Sequence, residues 1–289
     1  METPFRRMLS DFLSSPTAVF GLVLLAAILT VAIAAPFISP QNPYDLAQLD
    51  VMDGRLPPGA KTDGGTFWLG TDDQGRDMLS AIFYGLRISL TVGVVSTVVA
   101  LALGLALGLA AAYLGGRTET VIMRIADIQL SFPAILIALI LLAVLGQGML
   151  KIIAALVTVQ WAYYARTVRS AALVEKRKEY IEAARCLALP PSRIVFRHLL
   201  PNCLPPMIVV ATVQVAAAIA LEATLSFLGL GLPITESSLG LLIANGYQYL
   251  LSGKYWISFF PGLALLLTIV SINLVADQLR DVLNPRLRR

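Results

Sequence analysis

The residues able to do chemistry are few, and most sit in or beside one stretch, YIEAARCLALPPSRIVFRHLLPN at residues 180–202. It holds the single histidine, His198, and one of two cysteines, Cys186; the other, Cys203, follows directly. One histidine cannot make His-Glu-x-x-His, and these three side chains cannot supply a Cys/His zinc constellation. A Ser-His-Asp arrangement would have to use His198, which lies in a basic stretch rather than a pocket. No Gly-x-x-x-x-Gly-Lys-Ser/Thr loop is present, so the chain has no P-loop of its own for ATP. Covalent chemistry is poorly supported, and recognition remains.

The stretch suits recognition. Residues 174–188 favour helix, and Pro190 and Pro191 stop it. Ser192 is placed to cap a second short helix ending near Phe196. Tyr180, Ala184 and Leu187 fall on one face beside Ala183, while Glu182 and Arg185 form a polar stripe. Small alanines would let such a helix sit deep in a groove of another protein, with the charges fixing its register. A basic amphipathic helix resting on anionic lipid fits the same pattern.

The elements that must carry this stretch are apolar. The 289 residues are 57% hydrophobic and 14% charged, with mean hydropathy +0.77, against roughly 25% charged in soluble chains. A net charge of +4 does not by itself indicate nucleic acid. The expected class is an all-α integral membrane protein. Six stretches approach the about 20 apolar residues that a crossing needs: 17–38, 88–114, 120–145, 149–167, 203–228 and 256–277. The third and fourth are joined only by Gly146-Gln147-Gly148, which predicts a tight hairpin. The first is too long for a signal-peptide core and reads as a retained anchor.

All but six of the 22 Lys and Arg fall on one side when the N-terminus is placed inside; Arg55, Lys61, Arg76, Arg87, Lys151 and Lys254 lie outside. This bias predicts cytoplasmic termini and a cytoplasmic loop 174–201 between spans four and five. Three parts follow: the N-terminal segment with its first helix (1–38), an extracytoplasmic segment (39–86), and a core of five spans (87–289). The segment 39–86 is rich in turn formers and poor in apolar periodicity.

Within the spans, Gly104, Gly108 and Ala112 recur at four-residue spacing and allow close helix packing, internal or with a partner subunit. Arg124 and Asp127 are spaced to pair on one helix face. Glu222 and Gln214 in the fifth span are candidate pathway-lining groups. A structural hydrogen bond would satisfy the same physics.

The stretch at 180–202 resembles the EAA loop of ABC importer permeases, whose pattern is Glu-Ala-Ala, three residues, Gly, nine residues, Ile-x-Leu-Pro. Here Glu182-Ala183-Ala184 is followed by Ala188 at the Gly position and by His198-Leu199-Leu200-Pro201. With Ala188 there, the turn is expected to fall on Leu189, Pro190 and Pro191. Residues 69–77, LGTDDQGRD, are similar to the GTDxxGRD signature of the dipeptide, oligopeptide and nickel permeases, as are LSFLGLG at 225–231 and LRDVLNP at 279–285. The run at 233–240 departs from that family's Pro-rich segment ending in Trp-Gly.

The resemblance covers nearly the whole chain and points to the C-type subunit. It implies a type I importer architecture in a bacterial inner membrane. It also implies a heterodimer with a B-type sister permease, two ABC ATPase subunits and an extracytoplasmic substrate-binding protein. ATP and Mg would be bound by the partners, with no cofactor in this chain. Tyr180, Glu182, Ala183, Ala184, Arg185, Leu187 and Ala188 would form the ATPase-coupling surface. Peptides are the implied substrates, with a nickel chelate as the alternative. Two other classes stay open: a secondary transporter, which would usually show internal repeats, none being evident between residues 1–145 and 146–289, and an assembly or scaffold membrane protein, which would need no pathway.

Overall fold

The computed structural model describes residues 4–62, 65–233 and 235–283. Two helices, α1 (Pro4–Leu13) and α2 (Pro16–Ile38), open the chain. Ser15 caps α2, accepting from Ala18 N–H, and Pro16 takes the first helical position, where a missing N–H costs nothing. Residues 39–77 form two single 3₁₀ turns and a hairpin, β1 (Ala60–Thr62) paired antiparallel with β2 (Gly65–Phe67). Phe67 and Pro43 are buried apolar side chains of this segment. That matches its turn-rich composition.

The rest is helical. α3 (Met78–Leu114) begins ten residues before the expected span and is 37 residues long, about 55 Å. It extends well past a bilayer core of about 30 Å. α4 (Gly116–Leu130) and α5 (Ala134–Leu145) follow, then α6 (Met149–Glu175), α7 (Glu179–Cys186), the single turn α8 (Pro191–Arg193), α9 (Leu200–Phe227), α10 (Leu239–Tyr247) and α11 (Trp256–Leu283).

Two expectations are corrected here. The stretch 120–145 is not one straight span: α4 and α5 meet at 92° across Ser131-Phe132-Pro133. Pro133 cannot donate a ladder bond, and its ring disfavours helix in the preceding residue. The Ser131 amide closes α4 on Asp127 and Ile128. Nor does a second short helix end at Phe196. Pro190 rather than Ser192 is the cap residue, Pro191 starts the turn, and Ile194–Leu199 widen into a π-turn. Leu200 N–H bonds Val195 C=O, five residues back, so Pro191–Phe227 runs as one helical rod of 37 residues.

Among the described residues, four helices are long and apolar enough to cross a membrane, five if the bent α4–α5 pair is one span. α6 overlaps the remaining expected span, but its middle carries Gln160, Trp161, Tyr163 and Tyr164. Gln160 and Tyr164 are buried against the rest of the chain and Trp161 is half-buried, while Tyr163 faces out. α3 lies against α6 so closely that a Cβ on Gly104 would approach Trp161 C=O at 2.8 Å and Ala165 N at 2.9 Å. One on Gly108 would approach Ala165 C=O at 2.6 Å. Ala112 is buried on the same line. The small-residue stripe is therefore internal packing. Lipid gives helices no hydrophobic reason to associate, so this close approach is what holds α3 on α6.

Apolar side chains fill three layers around that contact. Ile82, Leu86, Ile219 and Ile257 form one, Leu142, Ile152, Leu156 and Leu225 a second, and Leu109, Val168, Leu199 and Met207 a third.

Candidate functional site

The loop carrying α7 is braced against its own chain at both ends. At its start, Lys176 Nζ donates to the carbonyls of Ala112 (2.8 Å) and Tyr113 (3.1 Å), satisfying acceptors at the C-terminus of α3. Glu175 binds Lys178 Nζ at 2.6 Å and accepts the Tyr180 hydroxyl at 2.6 Å. Burial alone would raise the Glu175 carboxyl, but the bonds from Lys178 and Tyr180 outweigh it and hold it below its ordinary value. Burial and the bond to Glu175 push the Tyr180 phenol up to about 12. Glu179 and Glu182 fall in the first turn of α7 and Arg185 in the last, complementing the helix dipole.

α7 ends in a Schellman motif. Leu189 N–H bonds Ala184 C=O at 3.2 Å, and Ala188 N–H bonds Arg185 C=O at 2.9 Å. Ala188 makes the turn itself, at φ 52 in the left-handed region that favours glycine. The expected displacement of the turn onto Leu189, Pro190 and Pro191 does not occur. The hydrogen-bond pattern requires a left-handed residue at 188, whatever its type.

α7 has two faces. Ile181, Ala184 and Ile194 are buried together against Tyr113 and Leu189. Glu182, Ala183 and Arg185 are exposed, as are Leu187 (75%) and Tyr180 (38%). Ala184 thus differs from the expected arrangement, since it packs on its own chain while Ala183 faces out. Phe196, 67% exposed on the π-turn, adds an apolar group beside this face that the sequence pattern did not single out. An outward surface of the Glu182 carboxylate, the Arg185 guanidinium, the small Ala183, the Tyr180 ring and two apolar knobs, Leu187 and Phe196, can bind protein. It offers no nucleophile–base pair.

On the far side, the residues of LGTDDQGRD tie the segment 39–77 to the helices. Asp72 and Arg76 form a buried pair, Nε to Oδ2 at 2.6 Å, with 0% and 1% of their side chains exposed. Asp72 Oδ1 also accepts the amides of Gln74 and Arg76, both at 2.9 Å. Arg76 Nη1 reaches Ser237 Oγ at 3.2 Å, just before α10. Asp77 caps α3 by accepting from Ser80, and Trp256 Nε1 donates to Thr71 C=O at 3.2 Å. Gly70 (φ +79) passes so near Leu56 C=O and the Trp256 ring that a Cβ there would clash at 2.6 and 2.9 Å. The signature is a knot joining four segments.

Glu222 lies on α9. It is fully buried, and its carboxylate accepts from Ser89 at 2.9 Å and Ser226 at 2.8 Å. Both bonds satisfy the carboxylate within the chain. Gln214 is half-buried, and its carbonyl accepts from Gln160 Nε2 at 3.3 Å; Gln160 in turn meets Thr97 at 3.4 Å. Sequence reasoning missed Gln129, at the end of α4. Its amide donates to the carbonyls of Thr158 and Val159 and accepts from Trp161 Nε1 at 2.7 Å. No sequence-local signal announces a bond between residues about 30 positions apart.

Between α4 and α6 lies an open cavity of about 280 Å³ lined by Glu119, Arg124, Asp127, Arg166 and Arg169. Arg169 pairs with Glu119. Asp127 pairs with Arg166 of α6 at 3.7 Å rather than with Arg124, because α6 runs alongside this face of α4.

Comparison with known proteins agrees with this layout. Residues 101–289 match the family described as binding-protein-dependent transport system inner membrane component, and residues 3–58 match the N-terminal TM domain of oligopeptide transport permease C. The chain is 40% identical over 289 residues to the dipeptide transport system permease protein DppC of Escherichia coli K12, covering 99% of this chain and 95% of that protein. It is 37% identical over 272 residues to the protein of the same name from Bacillus subtilis 168, covering 94% and 82%. In fold it is similar to a chain of the inward-facing MetNI methionine ABC transporter, with TM-score 0.58 at 23% identity over 71% of this chain and 97% of that one. A match across two thirds of the sequence, with relatives similar along nearly its full length, shows that the chain belongs to the binding-protein-dependent transport system inner membrane components and is an ABC importer permease.

Proposed function

We propose that this chain is the C-type permease subunit of an ATP-driven importer of dipeptides or oligopeptides. The observation that carries this reading is the full-length similarity to dipeptide permeases, joined to an exposed, braced α7 at the Glu-Ala-Ala position. Peptides are favoured over a nickel chelate because these relatives are named for dipeptides.

In this reading the chain crosses the inner membrane six times. The bent α4–α5 pair is one crossing, α6 another, and both termini are cytoplasmic. The Lys and Arg distribution supports the orientation. A B-type sister permease completes the pathway, and an extracytoplasmic binding protein delivers substrate. Two ATPase subunits bind ATP and Mg, and hydrolysis takes place on them. The outward face of α7, with Tyr180, Glu182, Ala183, Arg185 and Leu187, seats in an ATPase groove. Ala184 and Ala188 set its shape from behind. When the ATPases close, α7 moves, and its bonds to Glu175 and its continuity with the 191–227 rod pass the motion to α6 and α9.

The test is uptake of a labelled dipeptide into vesicles containing the assembled complex. ATP-dependent accumulation that needs the binding protein is the expected result. Accumulation driven by an ion gradient without ATP would overturn the proposal. Uptake of a nickel chelate but no peptide would move the substrate to the alternative.

A further inference from the structure

We propose that α2 and α3 form a binding site for a phospholipid of the leaflet next to residues 39–86, with its phosphate on Arg87 and one acyl chain in the groove between the two helices. A cavity of about 370 Å³ lies there, between Leu29–Ile33 of α2 and Arg87–Val95 of α3. Its floor is Ala32 and Leu90, both buried; its walls are Leu29, Ile33, Val94 and Val95, all exposed. The α3 residues follow i, i+3, i+4, i+7, i+8 spacing, so they form one continuous stripe. The small Ala32 leaves the groove its depth. Thr91 would be the polar exception, but its hydroxyl donates to the Arg87 carbonyl at 2.7 Å, so the groove meets its methyl side.

Charge sets the occupant. Arg87 is exposed, is the one ionic residue of the lining, and makes no ion pair among the described residues. It stands at the end of the stripe nearest residues 39–77, nine residues into α3. The groove then runs inward along α3 from Arg87 to Val95, about 12 Å. A cation at headgroup depth above an apolar slot matches an amphiphile with an anionic head and a hydrocarbon tail. A guanidinium pairs with phosphate through two parallel N–H bonds. A helix of another chain would fill the slot but would have to bring its own carboxylate to the depth of Arg87.

The experiment is native mass spectrometry of the assembled transporter, purified in mild detergent after reconstitution in vesicles of phosphatidylcholine doped with phosphatidylglycerol. The wild type is expected to retain phosphatidylglycerol. Arg87→Ala should lower retention about tenfold, the factor that loss of one charge-assisted contact represents. Arg87→Lys should keep most of it. Thr91→Trp, at an exposed position, should lose the lipid with Arg87 intact. Equal retention in wild type, Arg87→Ala and Thr91→Trp would overturn the proposal. So would efficient crosslinking of Ile33→Cys to another membrane subunit, which would make the occupant a protein.

Discussion

The Tyr180 hydroxyl donates a 2.6 Å hydrogen bond to Glu175 Oε2, tying the first turn of α7 to the last turn of α6. The bond crosses the break at residues 176–178 and fixes how α7 leaves the helix before it. Tyr180→Phe removes it while keeping the ring. The expected outcome is faster amide hydrogen exchange across α7 and weaker coupling of ATP hydrolysis to transport, with assembly retained. Unchanged exchange would show that Lys176 and the Schellman turn hold α7 without this bond.

The same pair sets a pH dependence. Glu175 is held below its ordinary value, so its contribution is present above the unfolded carboxyl pKa, near 4.3, and is lost as pH falls through the folded value. Tyr180 is raised to about 12. Its contribution is present below the unfolded phenol pKa of about 10 and is lost as pH rises through the folded one. Exchange protection of α7 should be flat from about pH 5 to 9 by that reasoning. In Tyr180→Phe the alkaline loss should disappear.

Ala188 stands where the loop's backbone wants glycine. A left-handed residue with a Cβ costs roughly 1–2 kcal/mol, and glycine returns part of that as chain entropy. Ala188→Gly should therefore stabilise the turn by about 0.5–1 kcal/mol, read as slower exchange at the 188 and 189 amides. Ala188→Val should act in the opposite direction. If both variants exchange like the wild type, the turn is not limited by this residue.

Much of this was legible in the sequence because hydropathy reports burial in lipid directly. Five of the six apolar stretches fall on single helices, the stretch 120–145 is split between α4 and α5, and the Glu-Ala-Ala spacing located α7. The breaks were harder to read. Pro133 stands at the right-angle turn between α4 and α5, yet Pro36, Pro205, Pro206 and Pro261 lie inside continuous helices. Proline marks a missing donor, and neighbouring helices decide whether the chain bends there. The partners of Asp127, Gln129 and Glu222 lie on other helices, so no local pattern could give them. Arg124 looked like the partner of Asp127 only because i,i+3 spacing was all the sequence offered.

The Asp72–Arg76 pair should be the most sensitive point outside the membrane. Both side chains are almost fully buried, so removing one leaves the other charge uncompensated, at a cost of about 3–5 kcal/mol. Arg76→Met or Asp72→Leu should lower the thermal stability of the purified complex strongly. The double variant should lose less than the two effects added together, since it strands no charge. Additive losses would mean that the two residues act through separate partners.

The coupling reading stands or falls on the exposed face of α7. Glu182 is exposed there and makes no ion pair within the chain among the described residues, so reversing its charge should not disturb the fold. At a seated interface it would set like charges together, at a cost of several kcal/mol. Glu182→Lys should therefore assemble in the membrane at wild-type level and transport at least about tenfold less, since each 1.4 kcal/mol is a factor of ten. Ala183→Trp, on the same face, should act alike by preventing close seating. Ala184→Trp should instead lower assembly, because Ala184 packs against Ile181 and Ile194. The split between variants 183 and 184 separates docking from folding. Normal uptake by both Glu182→Lys and Ala183→Trp would leave α7 with no partner on that face.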